Sequence, residues 1–274
     1  MTANIEIISV GNELLIGKTL NTNAQWLAKR LTTLGLNVRR ITTVSDDIEE
    51  IGATVKEVIS REPDFLITTG GLGPTFDDKT LEGIAKALRA PLELDPKAYK
   101  MVEEKYEAYA QERGLRKIEL TPARIKMAKL PKRAKPLPNP IGTAPGVIIE
   151  QDKVKIVALP GVPPEMKAIF EDSLEPILKK RAGNVTFFET SLGMSGLMES
   201  ELAPIIDKVM HDNSYVYIKS HPKGQEKTPH IELHLSTIAG DSAIAKNRVS
   251  RAIIQITDTI QAKGGKITRF KSKK

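Results

Sequence analysis

Hydrophobic and polar positions along the first 180 residues alternate between two periods. Short apolar runs of strand type occupy Ile5–Val10, Val38–Val44 and Phe65–Thr68. Between and after them, apolar residues recur at helical spacing. Ala24, Leu27, Ala28, Leu31 and Leu34 mark one helix, closed by Gly35. Ile48, Ile51, Val55 and Val58 mark a second, and Leu81, Ile84, Ala85 and Leu88 a third. Strands and helices alternating at this length predict an α/β fold with a mostly parallel sheet and right-handed crossovers. Residues 94–120 turn charged and helical, which predicts an inserted, lid-like segment. Residues 137–146 carry too much Pro and Gly for a regular element and read as a shaped loop. Val147–Glu150 and Val154–Leu159 then suggest a hairpin. The turn Pro160–Glu165 leads into a helix over Met166–Arg181.

Gly183-Asn184 reads as a boundary, giving domains over 1–182 and 183–274. Strands at 187–192, 215–219, 230–237 and 266–270, with helices at 197–210 and 242–261, make a βαββαβ pattern. That pattern predicts a small α+β domain, ferredoxin-like or KH-like. Gly193-Met194-Ser195-Gly196 comes closest to the KH clamp, but it follows the first strand and lacks basic residues.

Composition narrows the chemistry. The 274 residues contain no cysteine, so disulfides, thiolate metal sites and a cysteine nucleophile are excluded. No run approaches a membrane helix and no signal-peptide pattern opens the chain, so a cytoplasmic location is expected and a membrane partner is not. The net charge of +7 is modest, with clusters around Arg124–Lys135 and in the 263–274 tail. Aromatic content of 4% leaves few platforms for stacking bases, so nucleic acid is not expected as a partner. His230 and His234 share a strand face, but stand roughly 13 Å apart by strand rise, too far to share a metal. No Ser-His-Asp order or Gly-Lys-Ser/Thr phosphate loop is present.

The stretch Thr68–Thr80, Thr-Thr-Gly-Gly-Leu-Gly-Pro-Thr-Phe-Asp-Asp-Lys-Thr, joins the third strand to the third helix. Its glycines permit positive φ and close ligand approach. Free amides at the following helix start would favour a phosphate. Asp77 and Asp78 would repel that phosphate unless a divalent cation lay between, or unless one acted as a base. The plain alternative is an ordinary turn with Thr75 and Asp78 as a capping box. Glu13, Asp46 and Asp47 also fall at strand C-termini, where ligands sit in such sheets. Asp46 has its own alternative as the cap of the next helix.

Five motifs occur in order: Gly11-Asn12-Glu13-Leu14-Leu15-Ile16-Gly17, Asn21-Thr22-Asn23, Gly70–Thr75 with Asp77-Asp78, Asn139–Gly146, and Leu159–Met166. In this arrangement residues 4–172 resemble the CinA (competence-damage-inducible) family in its archaeal form. Residues 187–270 resemble the small KH-type domain that follows in that family. Many bacterial relatives carry a nicotinamide-nucleotide deamidase domain beyond this point, and that activity is expected to be absent. The resemblance implies the three-layer molybdopterin-binding fold of MogA and MoeA. There a Gly-Gly-Thr-Gly turn and a following Asp bind or process the pterin phosphate, whereas Leu72 stands here in place of the Thr. A second departure is Lys126-Met127-Ala128, where bacterial relatives have Lys-Gln-Ala.

The CinA branch implies metal-dependent hydrolysis of nucleotide pyrophosphates such as ADP-ribose, and a related domain implies hydrolysis of FAD, with Mg, Mn or Co as cofactor. Asp46 and Asp78 match the two functional acidic positions and are expected to be catalytic, with Asp77 and Asp78 on the metal. Ligand contacts are expected from Glu13, Asn21 and Asn23, and from Gly70, Gly71, Leu72, Gly73, Pro74, Thr75 and Thr80 of the central turn. Asn139, Gly142, Thr143 and Ala144, and Pro160 and Gly161, are expected from the later loops. The alternative is binding or transfer of molybdopterin or its adenylate. The expected partners are a small nucleotide or pterin-phosphate ligand and further copies of the chain. A third reading makes the basic C-terminal domain a nucleic-acid module.

Overall fold

Strand β1 (Asn4–Val10) is buried along all but its first residue, because it runs through the middle of a sheet covered on both faces. In this computed structural model, residues 3–114, 116, 118–223 and 230–269 are described. They form two units, 1–32 with 36–182, and 33–35 with 183–274.

In the first unit β2 (Asn37–Val44) and β3 (Phe65–Thr69) flank β1, both parallel to it. β8 (Val154–Leu159) pairs parallel with β3. Antiparallel β7 (Gly146–Gln151) and β6 (Lys135–Leu137) complete the order β2-β1-β3-β8-β7-β6. The expected hairpin is therefore the β7–β8 pair.

Helices cover both sheet faces, giving three layers. On one side α3 (Ile48–Ser60) and α4 (Thr80–Leu88) bury Ile51, Val55, Val58, Leu81 and Ile84 against Ile8 and Val10 of β1. Ile5 and Ile7 point to the opposite face by strand alternation and are equally buried. On that side lie α2 (Thr22–Thr33), then α7 (Pro163–Ile169), which passes through a π-helical turn at Phe170–Leu174 into α8 (Glu175–Ala182). Trp26 meets Phe170 edge-on at 5.2 Å. Arg30 of α2 grips Glu175 of α8 with two hydrogen bonds of 2.8 and 2.9 Å.

The segment expected as a lid is instead a packed part of the domain. Helix α5 (Pro96–Glu112) buries Ala98 and Val102 in the main core. A two-stranded sheet of β4 (Leu92–Leu94) and β5 (Lys129–Pro131) brackets α5 and the short α6 (Pro122–Lys126). Tyr99 and Tyr106 pack against the same core, so one apolar face holds α5 in place despite its charged surface. A further single turn, α1 (Asn12–Leu15), follows β1.

The second unit is β9 (Thr186–Ser195), α9 (Glu199–Asp212), β10 (Tyr217–Lys223), β11 (His230–Ala239), α10 (Ser242–Ala262) and β12 (Lys266–Arg269). Its sheet is wholly antiparallel in the order β10-β11-β9-β12. This is the ferredoxin-like member of the two types expected from the βαββαβ pattern. Gly193 lies inside β9, paired with Glu232 and Thr268, and forms no clamp. The expected end of the last strand at Phe270 and the rest of the Lys-rich tail lie outside the described residues. No described helix is long and apolar enough to cross a membrane.

Candidate functional site

Four parallel strands end at one edge of the first sheet, and the loop after each contributes to one polar cavity of about 270 Å³. Gly11 and Glu13 follow β1, Asp46 follows β2, Gly70, Gly71, Thr75, Asp77 and Asp78 follow β3, and Gly161 follows β8. Parallel crossovers bring such loops together at the strand C-termini.

The glycine turn is pinned on both sides. Gly70 has φ +108°, and a Cβ there would stand 2.2 Å from the Val10 carbonyl oxygen, so no side chain fits. Its amide donates to Leu159 O at 3.0 Å. Buried Thr80 donates its hydroxyl to Gly70 O at 2.7 Å and its amide to Gly71 O at 3.1 Å. Thr80 therefore braces the turn from inside. Leu72 is buried, so its side chain is not presented to a ligand. Among the described residues the amides of Gly71, Leu72 and Gly73 donate to no acceptor, which leaves three consecutive N–H groups for an anion.

The source of those amides differs from the expectation. Helix α4 begins only at Thr80, so the free donors belong to the loop and not to a helix start. A turn over Thr75–Asp78, closed by Asp78 N to Thr75 O at 3.3 Å, delays the helix. The capping box does not form. Asp78 Oδ2 accepts from the Thr75 amide at 2.8 Å and from its hydroxyl at 2.6 Å, closing the turn. Pro74, which lacks an N–H, lines neither this cavity nor the one behind it.

Asp77 also meets the Thr75 hydroxyl. One hydroxyl carries one proton, so two carboxylates converge on a single donor. That hydroxyl, with the residue's own amide and the charges of Lys126 and Lys79, holds the Asp77 carboxyl below the ordinary carboxylate range. Asp46 is not the helix cap. Asp47 caps α3, accepting from Glu49 N and Glu50 N at 2.9 and 3.0 Å. Asp46 instead accepts from Asn12 N at 2.8 Å and ties the ends of β1 and β2 together. Among the described residues no group of three or more His, Asp or Glu forms a metal site. The acids therefore fit a divalent ion only if ligand oxygens complete its shell, the usual manner of Mg²⁺.

Asn21 and Asn23 line the cavity, yet their side chains hold loops. Asn21 Oδ1 caps α2 through Ala24 N at 3.1 Å and accepts from the Ser9 hydroxyl at 3.2 Å. Asn23 Nδ2 donates to Gly161 O at 2.7 Å and to Thr69 Oγ1 at 3.1 Å, while its Oδ1 is buried without a partner. Pro160 takes part through its carbonyl, which accepts from Thr69 at 3.0 Å. Asn139, Gly142, Thr143 and Ala144 are not brought to this cavity. They precede antiparallel β7 and so reach the same sheet edge one strand further along. Asn139 ties that loop shut, donating to Ala144 O and accepting from Gly142 N, both at 2.8 Å.

A larger cavity of about 430 Å³ lies behind the glycine loop and shares Gly71 and Asp78 with the first. Leu72 and Gly73 face it, with Leu81, Met127 and Lys129. It holds a residue whose role the sequence did not reveal. Lys126 Nζ donates to Thr75 O at 2.9 Å and Asp78 O at 2.5 Å, clamping the acid-bearing turn from behind. The sequence signals for it were a basic cluster and the Lys126-Met127-Ala128 stretch, and neither pointed to the turn.

Comparison with known proteins agrees with this architecture. Residues 6–180 match the family described as the probable molybdopterin binding domain. A Sulfurisphaera tokodaii protein is 45% identical over 263 residues, covering 96% of this chain and 97% of that one. A Pyrobaculum aerophilum protein is 46% identical over 260 residues, covering 94% and 95%. A crystal structure of the protein CinA with unknown function from Thermoplasma acidophilum is 43% identical, with a TM-score of 0.58, over 65% of this chain and 98% of that one. The chain belongs to the molybdopterin-binding-domain family, on its CinA-like branch.

Proposed function

We propose that the strand-end cavity binds a phosphorylated pterin of the molybdopterin type, or its adenylate. The observation that carries this is the run of free amides at Gly71, Leu72 and Gly73, which would receive the phosphate. The family description favours a pterin as the group attached to it. The loop separates two cavities that meet at Gly71 and Asp78, so a phosphate held there can carry a group on either side. Glu13, Asp46, Asp77 and Asp78 around it would oppose the bound charge. A divalent ion, Mg²⁺, Mn²⁺ or Co²⁺, would offset that repulsion, held by Asp77 and Asp78 together with the ligand.

The convergence of carboxylates favours a second reading, hydrolysis of a nucleotide pyrophosphate such as ADP-ribose or FAD. Water oxygen would add to one phosphorus, the anhydride P–O bond would break, and the water proton would pass to Asp46 or Asp78. Anaerobic calorimetry with molybdopterin and its adenylate, beside mass-spectrometric assay of ADP-ribose and FAD with each metal, separates the readings. Micromolar pterin binding without monophosphate release supports the first, and released monophosphate supports the second. Neither result in any metal refutes both.

A further inference from the structure

The sheet of the second unit is covered on one face only. Leu192, Met194, Ile218, Ile231, Leu233 and Leu235 pack against Leu202, Ile205, Val249 and Ile256 of the two helices. Strand alternation sends the intervening residues to the other face, and the register sets them in rows across the strands. One row reads Lys223, His230, Ser195, Lys266, and the next His221, Glu232, Gly193, Thr268. The third reads Lys219, His234, Ser191, and the fourth Tyr217, Ser236, Glu189.

A fifth row, Ile238 with Phe187, puts the one apolar pair at the far end of the face. The other four rows contain no aliphatic side chain, so that part of the face lacks what a packed protein partner would bury. Its two acids already have partners on the face. Glu232 lies 3.3 Å from Lys223 and accepts from the Ser191 hydroxyl, and Glu189 lies 3.0 Å from His234. Among the described residues the side chains of Lys219, His230 and Lys266 make no ion pair or hydrogen bond, and Lys219, Lys223 and Lys266 against Glu189 and Glu232 leave the face net positive. Three of the chain's four histidines stand on this face, with Tyr217 59% exposed beside them. Flat rings between cations suit stacked bases and phosphates.

We infer that this open sheet face binds single-stranded nucleic acid, with Lys219, Lys223 and Lys266 on phosphates and His230, His234 and Tyr217 against bases. The occupant follows from charge complementarity joined to ring geometry. A polyanion without bases would use the lysines alone. The inference is independent of the ligand in the first unit.

Fluorescence anisotropy of the full chain with labelled decamers of uridine and deoxythymidine, a duplex of equal length, and inorganic polyphosphate tests it. Three phosphate contacts predict a slope of about −2 in log K against log salt, so affinity falls roughly fifteenfold from 50 to 200 mM. The double variant Lys219→Glu, Lys266→Glu should weaken single-strand binding at least tenfold and flatten that slope. His230→Ala with Tyr217→Ala should weaken binding several-fold while leaving the slope unchanged. Circular dichroism melting confirms that each variant is folded. Lys153→Glu, in the first unit, should bind as wild type. No binding at 50 mM salt, equal binding of polyphosphate or duplex, or an unaffected lysine double variant would overturn the assignment.

Discussion

Replacing Asp78 by Asn separates a carboxylate that only closes a turn from one that also serves a ligand. Asp78 Oδ2 accepts two hydrogen bonds from Thr75, at 2.8 and 2.6 Å. Asn keeps an oxygen in place and can retain both, but as a neutral acceptor. Charge-assisted bonds contribute about 1.5–3 kcal/mol each and neutral ones about 0.5–1.5, so the loss in a half-exposed turn is about 1 kcal/mol. That corresponds to a fall in Tm of about 2–4 °C. The ligand effect is of a different size. If the carboxylate shares a cation with the bound phosphate, removing its charge should weaken metal-dependent binding roughly 10–100-fold, and any hydrolysis by about two orders of magnitude. Calorimetry with and without Mg²⁺, beside scanning calorimetry, reads both quantities on one preparation. A variant that loses a few degrees but binds within twofold of wild type in Mg²⁺ would show that Asp78 is a turn brace alone. The ligand role would then have to move to Asp77 or Asp46.

Substitutions at three other positions probe the site's supports and the packing of the first unit. Gly70→Ala puts a Cβ 2.2 Å from the Val10 carbonyl at a positive φ, so it should cost about 2 kcal/mol or more and abolish ligand binding; a Tm within 2 °C of wild type would contradict this. Lys126→Met should leave the fold intact but weaken phosphate-ligand binding several-fold by releasing the Thr75–Asp78 turn. Lys126→Arg should restore part of that affinity, and equal binding by Met, Arg and wild type would remove Lys126 from the account. Burial alone would raise the Glu175 carboxyl, but Lys179 and Arg30 outweigh it and hold the carboxyl below its usual range. Its stabilisation is therefore present above the unfolded carboxylate value near 4.3 and is lost as pH falls through the lower folded value. Glu175→Gln should cost about 2 kcal/mol at pH 7 in urea unfolding, and the gap from wild type should close below about pH 4. A gap that stays constant down to pH 3 would refute the pairing.

Much of the fold was legible because its elements bury a face at a regular period. Ile5, Ile7 and Ile8 in β1, and Ile51, Val55 and Val58 in α3, announce strand and helix by spacing alone. The candidate site was less legible. Asp46 and Asp47 offer the same carboxylate one residue apart. Which of them caps α3 depends on where β2 stops against β1, through the pairing of Val44 with Val10. Lys126 lies about fifty residues from the turn it clamps, and the β4–β5 pairing that brings it there joins two three-residue strands with little pattern of their own. α5 looked peripheral because its charged positions outnumber the few that are buried. The Asn139 loop resembled a ligand motif, but the antiparallel run of β7 sets it one strand away.

The most direct test is a crystal structure of the full chain with a phosphorylated pterin and Mn²⁺, using anomalous scattering to place the metal. Ligand phosphate oxygens should lie about 3 Å from the amides of Gly71, Leu72 and Gly73, with an anomalous peak between that phosphate and the carboxylates of Asp77 and Asp78. Ligand bound away from the glycine loop, or manganese on other acids while those amides stay unoccupied, would contradict this.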